Sequence, residues 1–329
     1  MAKSLFDKTY IGKMKLKNRI FMSPMGTTGE ADGAYCNEGI DYFEERAKGG
    51  AGLIITGANV VSTKYEPRPC TELSDFHHVE RLNMLIERCH AYGAKVCVQL
   101  SPGLGRQQFT DPFTPPYSAG SVGAFWFPNL ICKPFSKEDI HYLVEKVGYS
   151  ASLAVNAGAD CVELHAYGGY LLDQFHSVQW NNRTDEYGGD IHGRLRLTLE
   201  VIEEVRKQCG RDFIIDVRIS GDEYSDGGLT LNDMIYVSKQ LEKATVDFIH
   251  VSGGNTIKKG SSMPASGTAP APHKHASEEI KKHVSIPVAT VSRINEPWVA
   301  DELIANGVCD ACMIGRPNLC DSEFANKAK

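Results

Sequence analysis

Short apolar runs recur along the whole of this 329-residue chain, and stretches with the periodicity of amphipathic helices separate them. The runs have the length of single strands and are rich in Val and Ile, which favour extended backbone. They predict strands at Arg19–Ser23, Gly52–Ala58, Lys95–Leu100, Asp160–His165, Phe213–Ser220, Val246–Ser252, Ile286–Ser292 and Val308–Gly315.

The stretches between these runs repeat apolar residues every three or four positions, as one face of a helix requires. In Asp75–Tyr92, for example, the apolar positions are Val79, Leu82, Leu85 and Ile86. The other predicted helices are Lys137–Ala157, Gly193–Cys209, Leu231–Lys243, Ala276–His283 and Glu296–Asn306. Glycines suited to C-terminal caps follow several of them, at Gly93, Gly158, Gly210 and Gly307.

The alternation of eight strands with helices favours a (β/α)8 TIM barrel, whose usual length is about 250 residues. A doubly wound open sheet is the rival fold, but the GxGxxG fingerprint is missing after the first strand, where the chain reads PMGTTGEADG. No linker divides the chain, so residues 1–329 are expected to form one domain. The longest irregular segments, 101–136 and 253–274, follow strands and are expected to cover the C-terminal mouth as substrate loops.

Charge and composition narrow the classes of protein. The net charge of -6 argues against a nucleic-acid partner, and no apolar run is long enough to cross a bilayer. The N-terminus lacks the apolar centre of a signal peptide, so a cytoplasmic protein is expected. The ten cysteines are therefore expected to be reduced, with Cys97 and Cys161 as small core residues.

Two clusters of reactive or charged residues are expected to be structural. Cys309 and Cys312, with Cys320, resemble a metal-binding knuckle, but the second pair of ligands that such a site needs is missing. On the predicted eighth strand, alternation would turn Cys309 and Cys312 in different directions. The charged run Arg183–Glu186 is expected to form a local loop network, and no metal site is predicted.

Catalytic residues of such barrels collect at the C-terminal ends of the strands. Here those ends are uncharged early and basic late: Pro24-Met25-Gly26-Thr27, Ala58, Gln99, His165, Arg218, Gly253-Gly254, Ser292-Arg293 and Gly315-Arg316. The set lacks the paired carboxylates of a glycosidase and the His/Asp cluster of a catalytic metal. It suits a flat hydrogen-bonding ring and a phosphate.

Four of these strand ends have chemistry that matches such a ligand. The amide of Gln99 can both donate to and accept from an imide-like ring edge. Arg218 could stabilise an anion formed in the ring, although an ion pair with Asp216 is the structural alternative. The last two strand ends, with Arg293 and Arg316, lie where barrels commonly hold a phosphate.

Motifs spread over the whole chain carry a family resemblance. They are LKNRI at Leu16–Ile20, SPMGT at Ser23–Thr27, QL at Gln99-Leu100, H-x4-YLL at His165–Leu172, NNRTDEYGG at Asn181–Gly189, VRIS at Val217–Ser220, VSRIN at Val291–Asn295 and IGRP at Ile314–Pro317. In this order they resemble the old yellow enzyme superfamily of FMN-dependent ene-reductases, the NADH:flavin oxidoreductases. The nearest branch is that of the 2,4-dienoyl-CoA and 2-enoate reductases, which includes bile-acid and steroid reductases.

The resemblance implies an FMN-binding barrel that reduces a small α,β-unsaturated carbonyl compound with electrons from NADH or NADPH. The implied flavin contacts are Pro24, Met25, Gly26 and Thr27 at the reactive N5–C4 edge, Ala58 and Gln99 at the pyrimidine ring, Arg218 near N1, and Ser292, Arg293, Gly315 and Arg316 at the phosphate. Hydride would pass from flavin N5 to the substrate's β-carbon. Tyr170 would then protonate the α-carbon, and His165 would bind the carbonyl oxygen.

One departure from the family pattern concerns the substrate. Most old yellow enzymes have a second His or Asn three residues after the first, but here that position is Gly168. His165 would then activate the carbonyl alone or with a residue elsewhere near the mouth. His250 and His273 are the candidates, and the loss of the pair leaves room for larger substrates.

The second departure concerns the source of electrons. The branch continues past the barrel with a [4Fe-4S] cysteine cluster and a flavin and nicotinamide module, whereas this chain ends at Lys329. It is either a truncated protein, with [4Fe-4S] as a further cofactor of the longer form, or a naturally short member. The alternative to an independent reductase is therefore an FMN domain or electron-transfer subunit that needs a missing module or partner. A homo-oligomer also stays open.

Overall fold

The structure is a computed structural model, which describes residues 3–27, 29–66, 70–109, 111–257 and 260–329. Within these ranges the strands are β1 (Thr9–Ile11), β2 (Met14–Leu16), β3 (Ile20–Met25), β4 (Leu53–Thr56), β5 (Asn59–Val60), β6 (Lys95–Ser101), β7 (Tyr117–Ser118), β8 (Lys133–Pro134), β9 (Cys161–Ala166), β10 (Ile214–Ser220), β11 (Phe248–Ser252), β12 (Val288–Val291) and β13 (Ala311–Ile314).

Eight of these strands close into a barrel. Their order around the ring is β3, β4, β6, β9, β10, β11, β12 and β13, and β13 pairs with β3 to complete it. Every pairing around the ring is parallel. The prediction of a (β/α)8 barrel is therefore confirmed, and the open sheet is excluded because β3 and β13 leave no free edge.

Helices surround the barrel. They are α1 (Asn37–Lys48), α2 (His78–His90), α3 (Lys137–Asn156), α4 (Leu171–His176), α5 (Ile191–Cys209), α6 (Leu231–Lys243), α7 (Lys274–Lys281), α8 (Pro297–Ala305), α9 (Arg316–Cys320) and α10 (Phe324–Lys327). Ser136 caps α3 in a reciprocal capping box with Asp139. None of the described helices has the length and apolar character that crossing a membrane requires.

Strict alternation along each strand separates two environments. On β9, Val162 and Leu164 pack outward in the core shared with the helices, whereas Cys161 faces the barrel interior. By the same period of two, Glu163 and His165 also face the interior. The interior of the barrel is thus apolar at the N-terminal ends of the strands and polar toward their C-terminal ends.

A hairpin of β1 and β2 closes the N-terminal end of the barrel. Its residues Ile11, Met14 and Leu16 belong to the buried cluster that contains Phe21 and Phe248. The turn passes close to the barrel, since a Cβ on Gly12 would lie 2.7 Å from Ile214 Cδ1. The hairpin leaves the opposite, C-terminal end as the open mouth.

The long segment 101–136 is anchored over that mouth by Arg183. The guanidinium of Arg183 donates to the carbonyl oxygens of Ala119 (3.1 Å) and Phe135 (2.7 Å). It also binds Asp185 through both carboxylate oxygens, at 2.9 and 2.6 Å. The predicted local network around Arg183 is present, and it fixes a mouth loop.

The prediction that Cys309 and Cys312 face apart is wrong. The strand β13 begins at Ala311. Cys309 precedes it, so the alternation of side chains along the strand does not set the direction of Cys309. The two sulfur atoms lie 3.8 Å apart, and both cysteines are buried in an apolar cluster with Ile20 and Leu303. This environment fits the expected structural role.

Phe248 tests the packing at the N-terminal end of the barrel, which we call the apolar floor. Its ring meets that of Phe21 edge to face, with centroids 5.9 Å apart, and both rings are buried. We predict that Phe248→Ala lowers the free energy of unfolding by about 3–5 kcal/mol, measured by urea denaturation, because the cavity cannot collapse between the strands. Phe76→Ala, at a ring that is 62% exposed, should change it by less than about 0.5 kcal/mol. Equal losses in the two variants would contradict this packing.

Candidate active site

Side chains from many strand ends line one cavity of about 450 Å³ in the mouth of the barrel. The sequence-predicted residues on its wall are Pro24, Gly26, Thr27, Ala58, Gln99, His165, Tyr170 and Arg218. Sequence reasoning did not single out several others, namely Gly57, Cys70, Ser101, Leu104 and Tyr167. Of these, Tyr167 lies inside a motif that was noticed, two residues after His165, and could have been found by that position.

A second cavity of about 370 Å³ adjoins the first. It is lined by the remaining predicted residues, Met25, Ser292, Arg293, Gly315 and Arg316, together with Ser23 and Ser262. Pro24, Tyr167 and Arg218 line both cavities. The structure therefore brings every predicted site residue into one continuous cleft, which leads from the β6 and β9 side of the mouth to the β12 and β13 side.

His165 and Tyr170 lie side by side in the first cavity. The strand β9 ends at Ala166, and Gly168 and Gly169 turn the chain toward α4 with φ of 76° at both positions. The ring centroids of His165 and Tyr170 are 4.9 Å apart, with 35° between their planes. A ligand group in this cavity can therefore meet an imidazole and a phenol at the same time.

The turn that carries Tyr170 is fixed by hydrogen bonds on both sides. Gln107 donates through Nε2 to the carbonyl oxygens of Gly168 (2.9 Å) and Gly169 (2.7 Å). Asp173 accepts from the backbone N–H of Gly169 at 2.7 Å. Since both glycines have positive φ, a side chain at position 168 would strain this turn. The position at which most old yellow enzymes have a second His or Asn therefore has no side chain here.

Tyr167 separates the two cavities. Its hydroxyl donates to the carbonyl oxygen of Ser262 at 3.0 Å, and its ring packs under Arg218, whose Cζ lies 4.3 Å from the ring centroid. The structural alternative, an ion pair between Asp216 and Arg218, is not formed among the described residues. Arg218 is held instead by the Tyr167 ring, in a cation–π contact at the cavity wall.

Strained backbone marks the β12 end of the cleft. Ser292 and Arg293 have φ of 94° and 48°, a region that residues other than glycine rarely adopt. Arg293 Nη1 donates to the carbonyl oxygen of Ala265 at 2.9 Å, which ties this turn to the loop after β11. Such strain persists only where the surroundings enforce it, and it is concentrated at ligand sites.

Several buried polar atoms of the cleft have no hydrogen-bond partner among the described residues. They are Thr27 Oγ1, Arg218 Nε and Arg293 Nε. Buried donors left without partners cost folding free energy, so they point to a polar ligand. Two arginines at separate places along the cleft fit the acceptor groups of a flavin ring and of a phosphate, and FMN has both.

A buried polar layer lies directly beneath the first cavity. Gln99 donates through Nε2 to Glu163 Oε1 at 2.5 Å, and Glu163 Oε2 lies 2.7 Å from His250 Nδ1. Glu163 and His250 are fully buried. Burial lowers the pKa of His250, although the Glu163 charge opposes this shift. Neutral His250 therefore donates from Nδ1, because a carboxylate can only accept.

Neither candidate for a second carbonyl-binding histidine lies on the first cavity. His250 is enclosed beneath it and bound to Glu163, because alternation along β11 turns it into the barrel interior. His273 stacks on Tyr224, with centroids 5.5 Å apart, and lines a different cavity of about 460 Å³. Burial lowers the pKa of His273 to about 4. His165 is the histidine that the described structure places on this cavity.

Comparisons with known proteins agree with this geometry. A model of the NADH:flavin oxidoreductase / NADH oxidase family matches residues 4–329. A cinnamate reductase of Clostridium sporogenes is 35% identical over 354 aligned residues, which cover 99% of this chain and 52% of that protein. An NADPH dehydrogenase of Halalkalibacterium halodurans is 32% identical over 332 residues, covering 100% of this chain and 94% of that protein.

The fold has a close counterpart among solved structures. A 2-naphthoyl-CoA reductase in complex with 2-naphthoyl-CoA superposes with a TM-score of 0.91 at 24% identity, over 99% of this chain and 52% of that one. This likeness supports the fold alone. The chain spans about half the length of the cinnamate reductase but almost the full length of the NADPH dehydrogenase. From the family match along nearly every residue, the chain belongs to the NADH:flavin oxidoreductase / NADH oxidase family, whose members are flavin-dependent oxidoreductases.

Proposed function

We propose that this chain is the FMN-binding catalytic unit of an ene-reductase acting on α,β-unsaturated carbonyl compounds. The observation that carries the proposal is the pair of His165 and Tyr170, 4.9 Å apart on a cavity whose wall also includes Thr27, Gln99 and Arg218. An imidazole and a phenol at one cavity suit a reaction that polarises a carbonyl and delivers a proton. The similarity to a cinnamate reductase, by its name an enzyme of an enoate, supports the same class of substrate.

The residues of the cleft fit FMN along its length. Thr27, with Pro24, Met25 and Gly26, would contact the reactive edge of the flavin ring, and Ala58 and Gln99 would contact its pyrimidine part. Arg218, whose Nε lacks a partner among the described residues, would donate to the ring. Ser292, Arg293, Gly315 and Arg316 would hold the phosphate in the second cavity.

The chemistry divides between the cofactor and this chain. FMN, when bound and reduced, supplies the hydride for the β-carbon of the alkene. His165 binds the carbonyl oxygen of the substrate and stabilises the negative charge that develops there. Tyr170 gives its hydroxyl proton to the α-carbon, since a phenol O–H can act as a hydrogen-bond donor and general acid.

The missing second carbonyl ligand bears on the substrate. With Gly168 in place of a side chain, His165 is the one imidazole among the described residues that line the cavity. A second carbonyl-binding side chain then takes up no room there, which suits a larger or flatter acyl group. We therefore propose enoates, dienoyl thioesters and steroid or bile-acid enones as substrates, with NADH or NADPH as the electron donor.

A second candidate function is an FMN domain that depends on another module or partner for its electrons. The observation in its favour is that the chain covers only 52% of the cinnamate reductase. In longer proteins of this type a [4Fe-4S] cluster would belong to the remaining part. Oxidation of NADH with an enoate, by this chain alone, distinguishes an independent reductase from a dependent domain that is reduced only by dithionite.

The phosphate site predicts a difference between two flavins. Arg316→Met should weaken FMN binding about tenfold, the effect of losing one charged hydrogen bond, and leave riboflavin binding unchanged because riboflavin has no phosphate. Fluorescence titration of the unloaded protein measures both affinities. Arg211→Met is the control, since Arg211 is an exposed arginine paired with Asp247 near the opposite end of the barrel. A parallel loss of FMN and riboflavin binding in Arg316→Met would remove Arg316 from the phosphate site.

The proposed proton donor can be tested separately from hydride uptake. Tyr170→Phe should leave the reduction of bound flavin by NAD(P)H unchanged and slow its reoxidation by the alkene by about 10²–10⁴-fold, the usual contribution of a general acid. Stopped-flow absorbance separates the two half-reactions. Tyr167→Phe is a matched control, because that hydroxyl is committed to the Ser262 carbonyl. Unchanged reoxidation in Tyr170→Phe would exclude Tyr170 as the donor.

A further inference from the structure

A group of titratable side chains lies inside the barrel between the apolar floor and the mouth. Glu163 on β9, Asp216 on β10 and His250 on β11 are all buried, and their ligand-type atoms lie within 4.8 Å of one another. None of the three lines either cavity of the cleft. The proposed catalytic steps do not use them, so their presence in an otherwise tightly packed interior needs a separate explanation.

Glu163 is the centre of this group. It accepts hydrogen bonds from Gln99 Nε2 at Oε1 (2.5 Å) and from His250 Nδ1 at Oε2 (2.7 Å). Burial raises the pKa of Glu163, but its attraction to His250, the hydrogen bond between them and the nearby Arg218 charge outweigh burial and lower this pKa below its ordinary value. Glu163 is therefore an anion inside the barrel, stabilised by several donors.

Asp216 has the opposite state. Its cross-strand neighbour is Glu163, and neither of its carboxyl oxygens meets a donor side chain among the described residues. Burial and the adjacent Glu163 charge raise the pKa of Asp216 well above its ordinary value. Two carboxyl groups in contact cannot both be ionised, so Asp216 is the protonated member and donates to Glu163.

The buried anion is connected to the flavin site through two residues. Because Glu163 can only accept, it binds the NH₂ side of the Gln99 amide and prevents this amide from flipping. The carbonyl oxygen and the second N–H of Gln99 are then left for a ligand in the cavity. Arg218, the positive group on the cavity wall, is near enough for its charge to lower the pKa of Glu163. Because Asp216 and His250 are neutral, the negative charge of Glu163 and the positive charge of Arg218 cancel.

We propose that Glu163 is a positioning residue for the cofactor: a fixed buried anion that orients the Gln99 amide and balances the charge of Arg218 beneath the flavin ring. The inference rests on the proposed FMN site. A negative charge below the ring opposes the extra negative charge that the flavin gains on reduction. Glu163 thus keeps the midpoint potential of the bound flavin low and makes it a stronger hydride donor to weakly activated alkenes.

The test compares two substitutions in the FMN-loaded protein. Glu163→Gln replaces the anion by a neutral group of the same shape. It should shift the flavin midpoint potential to a more positive value and weaken FMN binding about tenfold, since the Gln99 amide loses its charged partner. Asp216→Asn replaces a neutral acid by a neutral amide that can still donate to Glu163, so both quantities should stay near those of the wild type. Reductive titration against a reference dye measures the potential.

Several results would overturn the inference. One is a folded, loaded Glu163→Gln protein with the wild-type potential. Another is an equal shift in Asp216→Asn, which would place the charge on Asp216. A third is a stoichiometric divalent metal that is retained by the wild type and lost in both variants, because these groups would then be its ligands. A wild-type chain that binds no FMN would instead defeat the proposed function itself.

A further measurement applies even if Glu163→Gln does not fold. The wild-type infrared spectrum should contain the carbonyl stretch of protonated carboxylic acids, and this band should lose the contribution of one group in the spectrum of Asp216→Asn. Part of the band should remain, because burial also raises the pKa of Asp173 well above its ordinary value. An Asp216→Asn spectrum in which the band is unchanged would overturn the assignment of charge between Glu163 and Asp216.

Discussion

Closure of the sheet between β3 and β13 is the constraint on which the rest of the structure depends. Once the ring is closed, the period of two along each parallel strand sends alternate side chains to one enclosed interior. Three side chains of β9, those of Cys161, Glu163 and His165, therefore lie in three successive environments. The first lies in the apolar floor, the second in the buried polar layer and the third on the cavity.

That arrangement explains why the wall of the cleft is rigid although its polar side chains face an open cavity. Most residues that line the cleft come from strand ends, whose positions are set by parallel ladders on both sides. Tyr167 and Tyr170 line it from a turn that hydrogen bonds to Ser262, Gln107 and Asp173 hold in place. A planar cofactor would thus meet a wall that has little need to reorganise on binding.

Much of the fold followed from the sequence because apolar strand runs and helix periodicity are local signals. The helix α1 was missed because Asn37–Lys48 is rich in charged residues and short of apolar ones. The hairpin β1–β2 was missed because its strands have three residues each and owe their place to packing against Phe21 and Ile214. Propensity gives no account of such tertiary support.

The sequence indicated a candidate site at the strand ends, and all of the residues proposed from sequence line the cleft. The sequence did not show in which direction each side chain points or which residue it binds. His250 was a candidate for the mouth, yet its side chain turns to Glu163 one layer below. An ion pair between Arg218 and Asp216 was the structural alternative to a flavin contact. Such a pair requires an ionised Asp216, but the buried charge of Glu163 raises the pKa of Asp216, and Arg218 packs on the Tyr167 ring instead.

The central claim is that one cleft holds a flavin ring over the buried layer, with its phosphate at the ends of β12 and β13. The most direct measurement is an experimental structure of this chain crystallised with FMN. The ring is expected between Thr27, Gln99 and Arg218, and the phosphate against Ser292, Arg293 and Arg316. A phosphate on the Cys70 side of the mouth, or a ring that touches neither Gln99 nor Arg218, would contradict it.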